Sequence, residues 1–387
     1  MRPPPAGVRR AVLDPLWLPL AAALAALLLV VAAVGGLAWP VTRRRRVPRL
    51  ALLGALYVLV DVIMLMACAG LWLRHPVASA RDDERWQDAH LRLLRWTLAR
   101  LRSAATTLVG FTMTVEEPPD PARMDGGPLL VLARHAGPGD SFALVDLLLS
   151  RYGRRPRIVL KEDLLWDPGL DVVLSRLSAC FLPAHAGDGE ELAERVAGLA
   201  RGLRGRDAML IFPEGLNWTP HRYRRALSRL LYRADWRVAA QAARNPYVLP
   251  PRPAGVLASL AARPDLDVVV VAHTGLDDLV SPALVWRALP LAGRPMTVRW
   301  WREPASDVPP DPAGQLQWLQ LQWAIVDSWI ESRKARAAAA DGPDSADQDR
   351  ADPDSADPDS AGPDSAGPAD PDPDDDGQGA GLLGSPG

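Results

Sequence analysis

A histidine and an aspartate stand five positions apart in the stretch VLARHAGPGDSF, residues 131–142. Gly137 and Gly139 let the chain between them turn tightly, so the Asp140 carboxylate can accept a hydrogen bond from one nitrogen of His135. That bond would fix the tautomer of the imidazole and leave its other nitrogen free to act as a general base. Asp140 is also a favourable residue to cap the start of a helix. The spacing alone therefore permits either a catalytic pair or a capped turn.

A second carboxylate follows an apolar run in the stretch MLIFPEGLNW, residues 209–218. The apolar run ends at Phe212 and is followed by Pro213, Glu214 and Gly215. A charge at the end of a buried strand needs a partner or a ligand. Glu214 is therefore either paired with one of the many arginines or part of a binding site.

Four continuous apolar runs and three helical patterns must position these residues. The runs predict strands that are buried on both faces, and strands alternating with helices predict a helix-covered, mostly parallel α/β sheet over residues 105–336. Sites in such sheets lie at the carboxyl ends of the strands, where His135 and Glu214 both fall. A Trp-rich helix, LQWLQLQWAIVDSWI, closes the domain. The predicted strands are residues 128–133, 157–161, 208–213 and 267–273, and the predicted helices are residues 140–150, 190–203 and 226–243.

Two long apolar runs precede this domain, at residues 16–39 and 50–73. At about 1.5 Å per residue, each run can cross a hydrocarbon core about 30 Å thick. The second run argues against a cleaved signal sequence and predicts a membrane-embedded helical hairpin over residues 1–75, either spanning or shallow. Asp61 lies within the second run. A carboxyl group inside an apolar run is a candidate functional residue. The alternative is that Asp61 is protonated or faces the partner helix and has only a structural role.

The arginines that flank the hairpin favour one orientation at the cell membrane. Seven of them lie on the side of the termini and five in the connecting loop, which favours a cytoplasmic C-terminal domain. The seven are Arg2, Arg9, Arg10, Arg74, Arg81, Arg85 and Arg92, and the five are Arg43, Arg44, Arg45, Arg46 and Arg49.

Residues 76–104 predict an amphipathic connecting helix. Apolar residues from Trp86 to Leu101 recur every three or four positions, with arginines beside them. The apolar stripe is expected either to lie on anionic lipid or to pack on the core of the domain.

The formal net charge of −2 conceals an acidic tail on a basic body. Residues 341–387 contain 14 Asp, one Arg and no Glu, and residues 337–387 form a repetitive Asp/Pro/Ser/Ala/Gly-rich segment that predicts disorder. The basic body predicts anionic partners, such as a membrane surface or a phosphorylated substrate. The chain has no nucleic-acid motif, and Cys68 and Cys180 have no metal-ligand spacing. We therefore expect neither a nucleic-acid partner nor a metal site.

The two motif stretches together resemble the glycerolipid acyltransferase family, of the lysophosphatidate (1-acylglycerol-3-phosphate) acyltransferase type. Its first motif, H-x-x-x-x-D, is matched by His135 and Asp140. Its third motif, F-P-E-G, is matched by residues 212–215, in the same order and about 80 residues later. Two further blocks are similar to the family pattern, and they contribute Lys161, Pro168 and Gly169, and Pro250, Pro251 and Arg252.

This resemblance implies transfer of a fatty acyl group from acyl-CoA or acyl carrier protein to a lysophospholipid hydroxyl, most simply 1-acylglycerol-3-phosphate to phosphatidate in phospholipid synthesis. It implies that His135 is the general base and that Asp140 orients it. Backbone N–H groups at the start of the next helix are expected to stabilise the oxyanion. The resemblance implies no metal or organic cofactor and a membrane lipid as acceptor. The implied acceptor-binding residues are Pro213, Glu214, Gly215, Lys161 and Arg252.

The sequences of the third and fourth blocks, residues 212–225 and 249–255, resemble the lysocardiolipin-like branch of the family. Two departures concern the acceptor phosphate: Leu216 and Asn217 stand where the family often has Thr-Arg, and Ala184 and His185 stand where it often has an arginine. The substitutes for those arginines are Arg222, Arg224, Arg225 and Arg252. These departures leave open a catalytically silent lipid-binding scaffold, or an acyltransferase for a non-phosphate alcohol. We expect Ser141 and His273 to be structural.

Overall fold

The computed structural model describes residues 3–42, 45–74, 84–116, 126–183, 189–277, 279, 282–291 and 293–340. The predicted acidic tail from residue 341 onward lies outside the described residues, as do Ala184 and His185.

A seven-stranded sheet forms the centre of the domain. Its order is β1-β7-β6-β2-β5-β3-β4, and every neighbouring pair is parallel except β6 and β7. This arrangement confirms the predicted mostly parallel α/β sheet. The strands are β1 Met113–Glu116, β2 Leu129–Ala133, β3 Arg155–Lys161, β4 Cys180–Leu182, β5 Asp207–Ile211, β6 Asp267–Thr274 and β7 Met296–Glu303.

Eleven helices of seven or more residues fall within the described ranges. They are α1 Asp14–Thr42, α2 Arg46–Arg74, α3 Glu84–Val109, α4 Pro138–Asp146, α5 Pro168–Arg176, α6 Gly189–Arg201, α7 Pro220–Tyr232, α8 Trp236–Ala243, α9 Ala254–Ala262, α10 Pro282–Ala288 and α11 Pro312–Ala340. Short helical turns, Ala6–Val8 and Arg9–Leu13, precede α1.

The central strands are buried on both faces, as their continuous apolar sequences predict. In β2, Leu129, Val131 and Ala133 join the core on one face, while Leu130 and Leu132 join the core on the other. Side chains alternate across a strand, so both faces must be covered. Helices α2 to α5 cover the first face, and α6, α9 and α11 cover the second.

Helices α1 and α2 pack against each other as the predicted hairpin. The segments Ala6–Pro40 and Arg46–Arg74 are long and apolar enough to cross a membrane. Helix α2 nevertheless contacts the domain near both ends. Leu53 packs in a small cluster with Val109 and Leu289, while Met64 and Cys68 belong to the first core.

Buried polar contacts fasten the hairpin to α5. Arg9 donates two hydrogen bonds to the Asp171 carboxylate, at 2.8 and 3.2 Å, and the Tyr57 hydroxyl donates to Asp167, which caps the start of α5. Asp61 accepts a hydrogen bond from the Trp17 indole at 2.7 Å. The carboxyl group in α2 therefore faces the partner helix, which was one of the two sequence interpretations.

The Asp61 side chain also lies directly over α5. A side chain at position 169 would collide with its carboxylate and with Met64, so glycine is needed there for the close approach of α2. This contact gives Gly169, a residue of the second sequence block, a packing role.

Helix α3 packs its apolar stripe on the domain, which decides between the two sequence interpretations. Leu91, Leu94 and Leu98 belong to the first core, and Arg102, on the same face one turn beyond Leu98, donates to Asp146 at 2.7 Å. The helix runs from Glu84 to Val109, five residues past the expected end at residue 104.

Three strands and one helix break were not predicted. Strands β1, β4 and β7 were missed, and the single helix expected over residues 226–243 is wrong. The chain there forms α7 and α8, separated by a turn in which Ala234 adopts φ +57°. Helix α11 also continues to Ala340, whereas the tail was expected to begin at residue 337.

Candidate active site

The carboxyl ends of β2 and β5 bring the two motifs together. These strands are neighbours, with Leu132 paired to Ile211, so the residues that follow them meet at one edge of the sheet. The His135 and Phe212 rings lie 4.6 Å apart between centroids, and the Trp218 N–H donates to the His135 carbonyl at 2.8 Å.

His135 and Asp140 form a hydrogen-bonded pair. The His135 Nδ1 atom lies 3.0 and 3.1 Å from the two carboxylate oxygens of Asp140. The aspartate is fully buried, whereas the histidine side chain keeps 19% of its surface exposed. When Nδ1–H donates to this carboxylate, the Nε2 atom of the same ring carries the lone pair of a base.

Asp140 also organises the turn that holds it. Its carboxylate accepts the N–H groups of Ala136 and Gly137 at 2.6 and 3.0 Å, and its own N–H donates to the Gly137 carbonyl at 3.2 Å. The N-cap of α4 is Gly137 and not Asp140, which is the third residue of the helix and accepts the Gly137 N–H from there. Asp140 thus both orients the histidine and closes the helix start. The Ala136 and Gly137 N–H groups are committed to Asp140 and are not the oxyanion donors.

The surroundings of Asp140 keep it ionised. Burial by itself raises the pKa of this carboxyl, but the His135 hydrogen bond and charge, the nearby His273 imidazole and the Gly137 N–H outweigh it. The net pKa is below the ordinary value. An ionised carboxylate at this position stabilises positive charge on the imidazole.

A buried layer of side chains supports the pair, and of its members the sequence suggested only His273, as a structural histidine. His273 is fully buried, with Nε2 2.8 Å from the Arg134 carbonyl and 3.5 Å from Asp140. Arg134 is also fully buried, and it donates to the carbonyls of His273 and Tyr247 and to the Asp277 carboxylate. Burial lowers the pKa of His273, so this histidine is neutral at pH 7. The signal in the sequence was a charged residue, Arg134, at the end of an apolar strand.

Glu214 lies beneath the surface and not on it. Its side chain is 2% exposed, and Oε2 accepts the Leu249 N–H at 3.3 Å, while Oε1 has no hydrogen-bond partner among the described residues. Burial raises the pKa of this carboxyl to about 8, although the Arg134 charge and the Leu249 N–H oppose the shift. The group is therefore mostly neutral at pH 7, and it joins the third sequence block to the fourth.

Gly215 and Arg252 form the exposed rim above Glu214. Gly215 has φ +72°, a conformation that favours glycine, and a Cβ there would lie 3.4 Å from the Arg252 side chain. The Arg252 N–H donates to the Pro213 carbonyl at 2.7 Å. The guanidinium of an exposed arginine is thus held across the glycine of the third motif.

The other predicted binding residues occupy the same edge. Lys161 is exposed at the end of β3, on the far side of β5 from His135. Thr219 caps α7 by accepting the Arg222 N–H at 3.1 Å, and the Arg222 side chain reaches back to the Asn217 carbonyl. Arg222, Arg224 and Arg225 therefore lie in the first turns of the helix that leaves the site.

A groove with about 370 Å³ of empty volume, open solvent included, lies beside Leu249, the residue whose N–H donates to Glu214. Leu249, Pro250 and Trp323 line it, together with one face of α8. The described residues include no group of three or more His, Cys, Asp or Glu side chains placed to hold a metal ion.

The motif region and the fold are both similar to those of known proteins. Residues 113–251 match the family model described as Acyltransferase. The fold is similar to the crystal structure of the 1-acyl-sn-glycerophosphate (LPA) acyltransferase PlsC from Thermotoga maritima, with a TM-score of 0.51 and 14% sequence identity over 76% of this chain and 98% of that chain. No curated protein matches the chain significantly. Residues 113–251 are therefore similar to the acyltransferase family, as the two motifs predict, and the fold is similar to that of PlsC. The lysocardiolipin-like branch stays a prediction.

Proposed function

We propose that this chain is a membrane-bound O-acyltransferase that moves a fatty acyl group from acyl-CoA or acyl carrier protein to the hydroxyl of a lysophospholipid. The preferred reaction is conversion of 1-acylglycerol-3-phosphate to phosphatidate. The observation that carries the proposal is the His135–Asp140 pair at the carboxyl edge of a domain similar to the acyltransferase family. The solved protein with a similar fold is a 1-acyl-sn-glycerophosphate acyltransferase, which supports the choice of acceptor.

The pair can carry out the proton transfers of this reaction. The His135 Nε2 atom takes the hydroxyl proton of the acceptor while the acceptor oxygen attacks the thioester carbonyl carbon. The tetrahedral intermediate collapses to the ester and expels the thiolate, which takes the proton from the imidazolium and leaves as a thiol. Asp140 stabilises the imidazolium between the two steps. These steps use no metal and no organic cofactor.

The basic rim supports an acceptor that carries a phosphate. Arg252 is held across Gly215, and Arg222, Arg224 and Arg225 begin the helix beside it. A guanidinium binds a phosphate through paired, charge-assisted hydrogen bonds. Lys161 adds a further positive charge on the same edge. Glu214, being buried, contributes by fixing the segment at Leu249 rather than by touching the lipid.

The hairpin supports a location at the cell membrane, with the domain on the cytoplasmic side. Helix α1 turns apolar side chains outward along its length, including Leu27, Val30 and Val34. Helix α2 has the domain against it near both ends. A hairpin that is fastened along the domain fits a shallow anchor in one leaflet better than a full crossing, and it brings the site to the lipid acceptor.

The test is transfer of labelled acyl groups to a panel of lysolipids by the reconstituted protein. We expect His135→Ala to lower kcat by about 100- to 10,000-fold. His221→Ala, which removes an exposed histidine outside the pair, should keep the wild-type rate. Unchanged turnover in His135→Ala refutes the base assignment. Wild-type protein that binds lysolipid but transfers no acyl group from either donor supports the scaffold alternative.

A further inference from the structure

An exposed aromatic and basic surface lies where α7 turns into α8, at residues 231–237, here called the α7–α8 tip. All seven residues are exposed. Tyr232 keeps 94% of its surface exposed, Trp236 64% and Leu231 44%. Large apolar side chains that are exposed together and rimmed by polar residues mark protein or membrane interaction sites.

The tip has a defined conformation. The Arg233 and Asp235 N–H groups close the end of α7 on the carbonyls of Arg229 and Leu230, at 3.1 and 3.0 Å. The Tyr223 hydroxyl donates to the Ala242 carbonyl at 3.0 Å and ties α7 to α8. The fold therefore presents the aromatic side chains outward.

The tip and its two helices carry a large excess of positive charge. Residues 220–237 include one acidic residue, Asp235, among six arginines, and α7 buries no residue. Four arginines recur at helical spacings of three and four, which places them along one face of α7 from the site to the tip. The four are Arg222, Arg225, Arg229 and Arg233.

We propose that the α7–α8 tip is a second membrane-docking element, which sets its aromatic side chains among the headgroups of an anionic bilayer. Trp and Tyr are favoured at the depth of the headgroups, and arginines beside them bind anionic lipid. Helix α7 starts two residues after Trp218, whose backbone N–H donates to the His135 carbonyl. The docked tip thus holds the catalytic edge at the bilayer surface. The inference rests on the proposed function, because it takes the acceptor to be a bilayer lipid.

The direct test places a fluorophore at the tip of the full chain. Cys68 and Cys180 are buried, so a label on Tyr232→Cys is selective. The matched control is Ala261→Cys, exposed at the end of α9 near the start of β6, the edge of the sheet opposite the site. The protein is reconstituted in vesicles of phosphatidylcholine alone or with an equal amount of phosphatidylglycerol. Quenching by brominated lipids is then measured.

We expect strong quenching at position 232 in the phosphatidylglycerol vesicles, weaker quenching in phosphatidylcholine alone, and none at position 261. Equal signals at the two positions overturn the proposal. A response of the position 232 label to an acidic acyl carrier protein, with none to lipid, overturns it as well and assigns the surface to that protein. The measurement needs no transfer activity, so it can succeed or fail independently of the proposed function.

A kinetic test uses arginines outside the proposed catalytic and phosphate-binding residues. Arg229→Gln with Arg233→Gln is expected to raise the apparent KM for lysolipid in vesicles by about tenfold and to leave kcat unchanged. The rate with a monomeric short-chain lysolipid should stay the same. Arg201→Gln with Arg204→Gln, also exposed, changes the charge equally and should have no effect. A fall in the rate with the monomeric substrate contradicts a docking role.

Discussion

Asp140 and Glu214 are two buried carboxyl groups beside neighbouring strands, and their surroundings hold them in opposite states. The Asp140 carboxylate accepts hydrogen bonds from His135 and from two backbone N–H groups, and its pKa lies below the ordinary value. The Glu214 carboxyl receives the Leu249 N–H at 3.3 Å and leaves Oε1 unpaired among the described residues, and its pKa rises to about 8. The His135 hydrogen bond and charge outweigh burial at Asp140, whereas at Glu214 the Arg134 charge and the surrounding N–H groups do not.

The two states imply two roles at one edge of the sheet. A charged Asp140 can orient His135 and stabilise its protonated form. A neutral Glu214 can hold the Leu249 segment and shape the rim without adding a negative charge near an anionic acceptor. This division of roles can be tested by replacing each carboxyl with the matching amide.

The largest expected effect is on turnover. Asp140→Asn should lower kcat by about 10,000-fold, because the amide can donate to Nδ1 and leave the proton on Nε2, the wrong tautomer for a base. Glu214→Gln replaces a mostly neutral carboxyl by a neutral amide of the same shape, so we expect kcat within about tenfold of wild type. Steady-state rates with acyl-CoA and lysophosphatidate measure both.

Folding of each variant is checked by its thermal midpoint, so that a lost rate is not a lost fold. Equal losses of kcat in Asp140→Asn and Glu214→Gln contradict the division of roles. A loss of kcat in Glu214→Gln with none in Asp140→Asn would mean that Glu214, and not Asp140, is the carboxyl group needed for turnover.

The next effect is the pH dependence of stability. The Glu214 pKa is raised from 4.5 to about 8 on folding, so its contribution is fully present below pH 4.5 and is lost as the pH rises through about 8. Relative to Glu214→Gln, the wild type should lose about 1.4 kcal/mol per pH unit between those values. The Asp140 contribution has the opposite sign, since its lowered pKa favours folding above the unfolded value and the benefit is lost at acid pH.

Thermal midpoints of the wild type and of both amide variants, from about pH 5 to about pH 8, measure these slopes. A difference between wild type and Glu214→Gln that does not change with pH shows that Glu214 is ionised throughout this range.

Much of this arrangement could be predicted from the sequence because the signals are local. Continuous apolar runs identified four central strands, and residues directly after those runs had to fall at one edge of the sheet. The short strands β1 and β4 offered too few residues, and β7 carries Arg299 and Glu303 on its less buried side. The sequence signal for β7 was the apolar residue at every second position, Met296, Val298 and Trp300, and this pattern was missed.

The supporting layer could not be found in this way, because its contacts join distant parts of the chain. Arg134 reaches Tyr247 and Asp277 across more than 100 positions. The same holds for the contact between Asp61 and Gly169, where α2 meets α5. The break between α7 and α8 lacks glycine and proline, so the sequence offered no sign of a turn at Ala234.

The smallest expected effect tests whether the rim depends on the glycine next to Glu214. Gly215→Ala should destabilise the fold by about 1–2 kcal/mol, because φ is +72° there. Gly205→Ala is the matched control, since φ is +50° and nothing lies within 4 Å of the added Cβ. At position 215 the Cβ also touches Arg252 at 3.4 Å, so only this variant should raise the KM for a phosphate-bearing acceptor. Thermal midpoints and KM values for both variants measure this, and equal KM values would mean that the added Cβ does not displace the Arg252 guanidinium from the acceptor.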